Sequence, residues 1–559
     1  MPLTIRRAST YPQWVWLPIL ALLPLLFYSI IGYGGHDYRF HVTSWIELHN
    51  AWKAHEWTLG WSQWAQYGFG EPRFCFYPPI SLLIGAALTF LMPLRFVPAA
   101  AVWLVLSLSG LSMYLAAGRL LPREHRLSAA ILYMFNPYLV LTIVERFAIA
   151  EAWVQALLPL TFLVFYIAAA EYRLRFSALL ALLLAIGWLT NIPEAIAFFY
   201  AFGLLAVVLA IHGRTLRPLV VIAASQAGAL ALAAFRLVPT FQEKGWIAAD
   251  ALLLYDLRAN MLFTRFRPFL IVLLCGLFAF TGLAIAFVAA RQRIRTERAP
   301  SALMLCLLTL VCFAVLVQLP VSTPLWNKLP EFRFVLFPFR FLPLLSLATV
   351  LLLFSGAISK RLRRAGIVFL LVQALFPFGA FTRLFDYQRF PSFDFAVSQW
   401  QKGFEGLREY VPVGVPHSRA LPKKEMALQS QGPFAYPACQ PALLATWPNE
   451  KLLSTSSPVA CTLTLNTFYY PFWTAALDGN SPLRVGMNPD GLLAVNVPAG
   501  LHRIRLFFAP ATRMRAVSGM VSFLALLLVL VSTAFQQRRP RLPIQSAEEV
   551  EGQKRQSSF

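Results

Sequence analysis

Apolar runs of roughly twenty residues recur along this sequence and constrain its fold more than any other feature. A run of that length, wound as a helix, crosses about 30 Å of hydrocarbon. The chain has 559 residues, of which 58% are hydrophobic and only 13% are charged, whereas about 25% are charged in an ordinary soluble domain. The sequence therefore predicts a polytopic α-helical membrane protein.

The basic residues give these runs an orientation. The formal net charge is +23, but Lys and Arg stand mostly in short clusters between the apolar runs, as in proteins that keep positive charge on the cytoplasmic side of a membrane. This pattern argues against a nucleic-acid partner and places both termini in the cytoplasm. The first apolar run is too long for a signal peptide and is taken as a retained helix.

The alternation of basic clusters predicts about twelve transmembrane helices, provided that Pro78–Met92 is a re-entrant or interfacial segment. That segment is too short for a comfortable span. The predicted helices are 13–33, 97–118, 127–144, 150–170, 176–190, 194–211, 218–239, 268–290, 301–319, 337–358, 365–382 and 516–535.

A long polar region before the last helix predicts a separate domain. Polar and apolar residues alternate at 462–465, 492–497 and 502–508, between turns rich in Gly, Pro, Asn and Asp, which predicts a small antiparallel β-sandwich. Cys439 and Cys461 lie in this region and could pair if it faces an oxidising compartment. The predicted domains are a transmembrane domain at 1–382 with its first outer loop at 34–78, an extracytoplasmic domain at 383–514, a last helix at 515–536 and a disordered cytoplasmic tail at 537–559.

Residues 34–41 (GGHDYRFH) follow directly on the first apolar run and gather three groups that bind metals or handle protons. Asp37 and His41 stand four residues apart, so they share one face if a helix begins here. Large apolar residues then recur at three- and four-residue spacing through Trp45 to Trp52, which predicts an amphipathic helix in the membrane interface. The stretch thus places a reactive carboxylate at the outer membrane surface.

Further ionisable side chains collect at the predicted outer ends of the helices, whereas the inner side has bare basic clusters. Ionisable groups are costly near a bilayer and usually have a function there, so the site is expected on the outer side. The candidates beyond the first loop are Glu145, Arg146, Glu151, Glu194, Arg265, Arg267, Arg333 and Arg340.

These features together resemble a known superfamily. An acidic residue directly after the first helix, in a loop built of an interfacial helix and a Pro-Pro-led segment, resembles the GT-C membrane glycosyltransferases, which take sugars from polyprenyl-phosphate donors. More narrowly, His36, Asp37 and His41, the stretch GFGEPRFCFYPP at 68–79 and Glu151 resemble a group of bacterial membrane proteins labelled 6-pyruvoyl-tetrahydropterin synthase-related. The motifs YYPFW at 469–473 and VPAGLH at 497–502 are similar to the outer C-terminal domain of YfhO-type membrane proteins.

The resemblance implies that Asp37 is a general base or metal-associated carboxylate and that Glu145 or Glu151 is a second acid. The sequence has no Asp-x-Asp motif. Attack of a hydroxyl on an anomeric carbon needs a carboxylate to accept the proton. The leaving lipid phosphate needs cationic groups, and Arg supplies paired donors for it. Arg333 and Arg340, seven residues apart, share a face if the helix predicted at 337–358 starts early.

The predicted function is transfer of a sugar from a polyprenyl-phosphate donor to an acceptor in the outer leaflet or the periplasm, by a lipid-embedded enzyme of the bacterial inner membrane. The predicted catalytic residues are Asp37, Glu151, Glu145, His41 and His36. The predicted substrate-binding residues are Arg146, Arg265, Arg267, Arg333, Arg340 and Glu194. Asp37 and His41 are candidate ligands for a divalent cation, Mg or Mn.

Other interpretations of the same residues stay open at this point. Asp37 could cap the following helix, Glu151 and Glu194 could complement helix dipoles, and the arginines could reach lipid headgroups. The whole chain could instead be a transporter or flippase of a lipid-linked saccharide, or a non-catalytic envelope scaffold. If the site is catalytic, Asp37, His41 and Glu151 should converge within about 10 Å in one cavity.

Overall fold

The computed structural model describes residues 12–26, 34–171, 174–264, 270–295, 301–383, 403–404, 406–416, 434–436, 439–479 and 481–536. Most of these residues are helical, and a small β domain precedes the last helix, in agreement with the predicted mixture of elements. The predicted tail at 537–559 and the end of the first predicted helix, 27–33, lie outside the described residues.

The helices are numbered in chain order. They are α1 (Trp16–Leu20), α2 (Tyr38–Lys53), α3 (Arg73–Phe76), α4 (Pro79–Leu91), α5 (Val97–Leu120), α6 (Arg126–Met134), α7 (Pro137–Val144), α8 (Ile149–Glu171), α9 (Leu174–Trp188), α10 (Ile192–Gly213), α11 (Arg217–Leu232), α12 (Ala234–Glu243), α13 (Leu270–Arg295), α14 (Ala302–Leu316), α15 (Thr323–Lys328), α16 (Leu342–Phe354), α17 (Lys360–Arg383) and α18 (Arg513–Gln536).

Within the described chain, six helical stretches are long and apolar enough to cross a membrane, and two bent helix pairs raise the number to eight if each pair is one span. The chain is therefore a multi-pass membrane protein, but the predicted number of twelve spans is not confirmed. The six stretches are Leu94–Leu120, Arg123–Val144, Ile149–Ala170, Ile192–Gly213, Ile271–Arg295 and Arg513–Ser532.

Two of the predicted spans are bent. The helix predicted at 218–239 is divided into α11 and α12, which meet at 74°, and the one predicted at 301–319 ends in a 92° bend before Pro320–Lys328. Proline has no backbone N–H to donate to the preceding turn, and Pro320 begins the segment after the second bend. Residues that follow the two bends, Thr240 and Lys244 after the first and Glu331 after the second, line the cavity described below.

Helix α16 is shorter than the helix predicted at 337–358, and it lies inside the protein. Its thirteen residues, Leu342–Phe354, are all buried, and it packs against α6, α13 and α14. A helix that is apolar on every side is either lipid-exposed or enclosed by protein, and this one is enclosed. An apolar run by itself does not distinguish these two environments.

Helix α2 is also enclosed, so Trp45 and Leu48 do not form the membrane-facing side that an interfacial helix would present. The predicted depth of this helix in the membrane stays a prediction. Trp45 is fully buried and Leu48 is 5% exposed. The Trp45 ring lies against Gly85 of α4, where a Cβ atom would come within 2.1 Å of it. The first loop is thus part of the protein core, and it holds Asp37 and His41 in fixed positions.

The β domain contains two antiparallel sheets, as predicted. One sheet has the order β1-β4-β8-β7 and the other the order β2-β3-β9-β5-β6. The strands are β1 (Phe434–Tyr436), β2 (Ala442–Trp447), β3 (Glu450–Ser457), β4 (Cys461–Phe468), β5 (Trp473–Leu477), β6 (Ser481–Leu483), β7 (Val485–Met487), β8 (Leu492–Val497) and β9 (Gly500–Phe508). Cys439 and Cys461 form a disulfide.

The β domain packs directly on the first loop. The Trp61 ring lies 5.5 Å from Trp473 and 5.4 Å from Phe508, and Phe69 stacks on Phe468 at 5.1 Å. The N–H of Phe468 also donates to the carbonyl of Phe69 over 2.8 Å. The two units therefore lie on the same side of the helical bundle.

Candidate active site

A cavity of about 730 Å³ lies where the first loop, the α7–α8 connection and several later loops meet. Most of its wall is apolar, and the polar side chains are grouped within it. They are His36, Asp37, His41, Tyr77, Glu145, Arg146, Glu151, Asn191, Thr240, Lys244, Tyr255, Asn260, Glu331, Arg340, Glu409 and Tyr410. Asp37, His41 and Glu151 all line this cavity, whereas their predicted separation of about 10 Å stays a prediction.

Gly35 sets the position of Asp37. It has a φ of +134°, and an added Cβ would lie 2.6–2.8 Å from Phe147 and from the backbone of Arg146. Only glycine combines this conformation with so close an approach. The N–H of Asp37 then donates to the carbonyl of Arg146 over 2.8 Å, which joins the first loop to the α7–α8 connection.

The Asp37 side chain does not act as a helix cap. Asp37 occupies the N-cap position of α2, but its carboxylate accepts no hydrogen bond from the first turn. One carboxylate oxygen instead lies 3.2 Å from Nδ1 of His36, and the side chain remains 39% exposed. A capping role alone therefore does not account for this residue.

The surroundings of Asp37 favour its ionised form. Burial in the cavity opposes ionisation, but the His36 hydrogen bond and the positive charge of Arg146 outweigh it, so the pKa of Asp37 lies below its ordinary value. The same hydrogen bond raises the pKa of His36. Asp37 is thus a carboxylate at neutral pH, with one oxygen available to the cavity.

His41 is a neutral, buried neighbour of this carboxylate. Burial lowers the pKa of His41 to about 4, and its ring lies among Phe40, Tyr77 and Phe147 at centroid distances of 5.4–6.4 Å. Its Nδ1 atom is buried and has no hydrogen-bond partner among the described residues. A buried nitrogen without a partner is uncommon, and this one belongs to a residue that lines the cavity.

Glu151 is the centre of a buried charge network. Its two oxygens accept hydrogen bonds from both Nη atoms of Arg146 at 2.9 and 2.8 Å and from Nε of Arg340 at 3.2 Å. The Tyr138 hydroxyl donates to it over 2.7 Å and the Gln155 amide over 3.3 Å. As placed, Glu151 orients two arginines rather than offering a free carboxylate to the cavity.

The other predicted acids have different surroundings. Glu145 lines the cavity, and burial raises its pKa. Glu194 is fully buried in the first turn of α10 and is not among the cavity-lining residues. Neither of its carboxylate oxygens has a hydrogen-bond partner in the described part of the chain.

Among the remaining predicted arginines, only Arg333 is described. Arg265 and Arg267 lie outside the described residues, and Arg333 is not part of the cavity lining. The predicted common helical face of Arg333 and Arg340 is wrong, because residues 332–335 and 338–341 form two short 3-10 turns before α16 begins. Leu336 interrupts them with a φ of +68°.

The described residues contain no group of side chains that would bind the predicted divalent cation. No three His, Cys, Asp or Glu side chains there form a cluster able to hold a metal. Asp37 and His41 line the same cavity, but His36 already occupies one Asp37 oxygen and His41 is packed among aromatic rings. Asp37 and His41 therefore do not fit a metal site.

Several cavity residues were not selected from the sequence. Lys244 and Glu331, which are among the charged residues that the sequence places on the outer side but not among the predicted site residues, form an ion pair at 4.0 Å. Glu409 and Tyr410 come from the segment before the β domain, which shows no helical or strand periodicity. Their place in the cavity follows only from the tertiary structure.

The family model for the 6-pyruvoyl-tetrahydropterin synthase related domain, described as a membrane protein, matches residues 74–382, more than half of the chain. The chain belongs to this family. The matched region includes Arg146, Glu151 and Arg340, whereas Asp37 precedes it.

Among solved structures, this family member is similar to the apo crystal structure of the Archaeoglobus fulgidus oligosaccharyltransferase. The match has a TM-score of 0.42 and 13% sequence identity and covers 76% of the present chain. The chain spans 61% of the length of that archaeal protein. No curated protein matches it.

Proposed function

We propose that this protein is a membrane glycosyltransferase of the GT-C type, which transfers a sugar from a polyprenyl-phosphate donor to an acceptor hydroxyl. The observation that carries the proposal is the single cavity lined by an ionised carboxylate, Asp37, and two guanidinium groups, Arg146 and Arg340. Its volume of about 730 Å³ falls in the range of roughly 300–1,000 Å³ that is usual for ligand sites.

Arg146 and Arg340 would hold the donor phosphate. Each guanidinium has five N–H donors, and each uses two of them, Arg146 for Glu151 and Arg340 for Glu151 and the carbonyl of Val335. The two cations share the single Glu151 carboxylate, so this network carries one positive charge before the ionised Asp37 is counted. Both side chains are about nine-tenths buried, which strengthens their attraction for a phosphate.

Asp37 would act as the general base. In the proposed reaction the acceptor oxygen forms a bond with the anomeric carbon while the bond from that carbon to the phosphate oxygen breaks. The acceptor proton passes to Asp37, and the electron pair leaves with the polyprenyl phosphate. The arginines stabilise the charge that develops on this leaving group.

The apolar part of the cavity suits the lipid. Ile271 and Leu274 of α13 and Pro377 of α17 line it together with phenylalanines such as Phe337 and Phe339. An isoprenoid chain gains free energy by contact with such a surface, and the polar groups then fix the position of its phosphate.

The disulfide supports an outer location for the site. Disulfides persist in oxidising compartments and are rare in the cytosol, and Cys439–Cys461 lies in the β domain. That domain packs on the first loop, which carries Asp37. The proposed reaction therefore takes place at the outer face of the bacterial inner membrane, with both chain termini in the cytoplasm.

The proposal is tested with purified protein in proteoliposomes, supplied with radiolabelled polyprenyl-phosphate sugars and an extract of envelope acceptors. The wild-type protein should move label from the lipid to an acceptor, and Asp37→Asn should lower the rate by at least about 10²-fold, because a positioned base contributes about 10²–10⁴. Glu124→Gln, at a glutamate with a 78% exposed side chain, is the matched control. Movement of intact sugar-lipid across the bilayer without transfer would instead identify a flippase.

A further inference from the structure

A second group of polar side chains enters the cavity from outside the helical bundle. Glu409 and Tyr410 belong to the segment at 406–416, which lies in sequence between α17 and the β domain, and both line the cavity together with Tyr255. The proposed transfer, as derived from Asp37 and the two arginines, leaves this group without a role.

Backbone contacts hold this segment on both sides of Glu409. Before it, the N–H of Leu407 donates to a carboxylate oxygen of the buried Glu71 over 3.2 Å. After it, the carbonyl of Val411 accepts the N–H of Ala248 over 2.9 Å. Glu409 is therefore fixed between the first loop and the loop at 244–264, and its side chain can vary without loss of these anchors.

The polar atoms of this group are not engaged with each other. In the described part of the chain, the Glu409 carboxylate makes no hydrogen bond or ion pair with another side chain, and its hydrogen bond is to its own backbone N–H. The Tyr410 ring stacks on Phe76 at 6.3 Å, and the Tyr255 ring meets Phe337 edge-on at 5.6 Å. These contacts orient the rings, while no described side chain satisfies the Tyr255 or Tyr410 hydroxyl.

The group shares the cavity with the proposed reaction centre and is influenced by its charges. Burial, together with the nearby charges of Glu71 and Asp37, raises the pKa of Glu409 to about 7. Asp37 and Arg340 also act on Tyr255, whose pKa is raised chiefly by burial. The carboxylate and the two tyrosines thus line the same cavity as Asp37 and the two arginines.

We propose that Glu409, Tyr255 and Tyr410 form the saccharide subsite of this cavity, with the Glu409 carboxylate accepting hydrogen bonds from adjacent hydroxyls of the transferred sugar. This inference rests on the proposed glycosyl transfer and adds the groups that recognise the sugar. A carboxylate offers about four acceptor positions, which suits two neighbouring hydroxyls. The tyrosine rings provide apolar faces for the C–H side of a pyranose and hydroxyls for its rim.

The test uses the full-length protein in nanodiscs and measures binding of two kinds of probe by native mass spectrometry. One probe is polyprenyl phosphate without a sugar, and the other is the same lipid carrying glucose, galactose or mannose. The wild-type protein should bind at least one glycosylated lipid about tenfold more tightly than the bare lipid, as expected for a hydrogen bond to a charged group. Glu409→Gln and Glu409→Ala should bind the bare lipid normally and lose this gain, whereas Glu124→Gln should keep it.

Two results would overturn the subsite. One is a gain in affinity that survives in both Glu409 variants, and the other is a wild-type protein that binds the bare lipid but gains nothing from any of the sugars. If the wild-type protein binds neither probe, the glycosyl-transfer proposal itself fails, and the subsite fails with it. The bare-lipid measurement therefore separates the two failures. An unchanged unfolding midpoint shows that each variant is folded.

Discussion

Replacing Glu151 by Gln should destabilise the protein strongly. The carboxylate is fully buried and accepts five hydrogen bonds, three of them from Arg146 and Arg340. Glutamine keeps the shape but removes the charge that neutralises one of the two guanidiniums. Removing one partner of a buried ion pair costs about 3–5 kcal/mol, because the other charge stays buried and unpaired. We therefore expect a loss of about 3 kcal/mol or more in the free energy of unfolding.

The free energy of unfolding can be measured by denaturant titration in detergent micelles, with tryptophan fluorescence as the signal. Glu124→Gln is the control, since Glu124 is largely exposed and lies 3.4 Å from the His125 ring. An exposed pair is worth about 0–1 kcal/mol. A loss below about 1 kcal/mol for Glu151→Gln would refute the reasoning, because the arginines would then not depend on Glu151.

Three further predictions concern the same structure. Gly35→Ala should lower the free energy of unfolding by about 1–3 kcal/mol and remove most of the transfer activity, because the new Cβ collides with backbone atoms. Gly68→Ala, at a φ of +96° in open space, should be folded and active. Equal activity of the two variants would count against the collision. His36→Ala should move the acid limb of the pH–rate profile to higher pH, because the hydrogen bond that lowers the pKa of Asp37 is lost; an unmoved limb would contradict this. Cys439→Ser should lower the free energy of unfolding of the β domain by about 3 kcal/mol and leave the Cys461 thiol free for alkylation. Alkylation of Cys461 in the unreduced wild-type protein would disprove the disulfide.

The sequence predicts which residues line the cavity better than it predicts the contacts between them. Asp37, Arg146 and Arg340 are predicted site residues because ionisable groups near a bilayer are energetically costly and usually have a function there. All three line the cavity. The partner of Arg340 could not be predicted in this way, since Glu151 lies 189 residues earlier in the chain. Periodicity reports the neighbours of a residue along one helix, and it contains no information about such a distant contact.

The predicted surroundings differ from the observed ones where an apolar run has two physical interpretations. The sequence of α16 is as hydrophobic as that of a membrane span, but protein rather than lipid encloses it. Trp45 has the spacing of an interfacial helix, and it is buried against Gly85 instead. Glu409 was missed for a different reason, because its segment has no regular period and is positioned by contacts with Glu71 and Ala248.

The most direct test of the account is a cryo-electron microscopy structure of the full-length protein with a bound polyprenyl-phosphate sugar. The account predicts phosphate oxygens at hydrogen-bond distance, about 3 Å, from Arg146 and Arg340. It also predicts that the anomeric carbon faces Asp37 and that the isoprenoid chain lies along α13. A lipid phosphate bound elsewhere, with both arginines still directed only at Glu151, would contradict it.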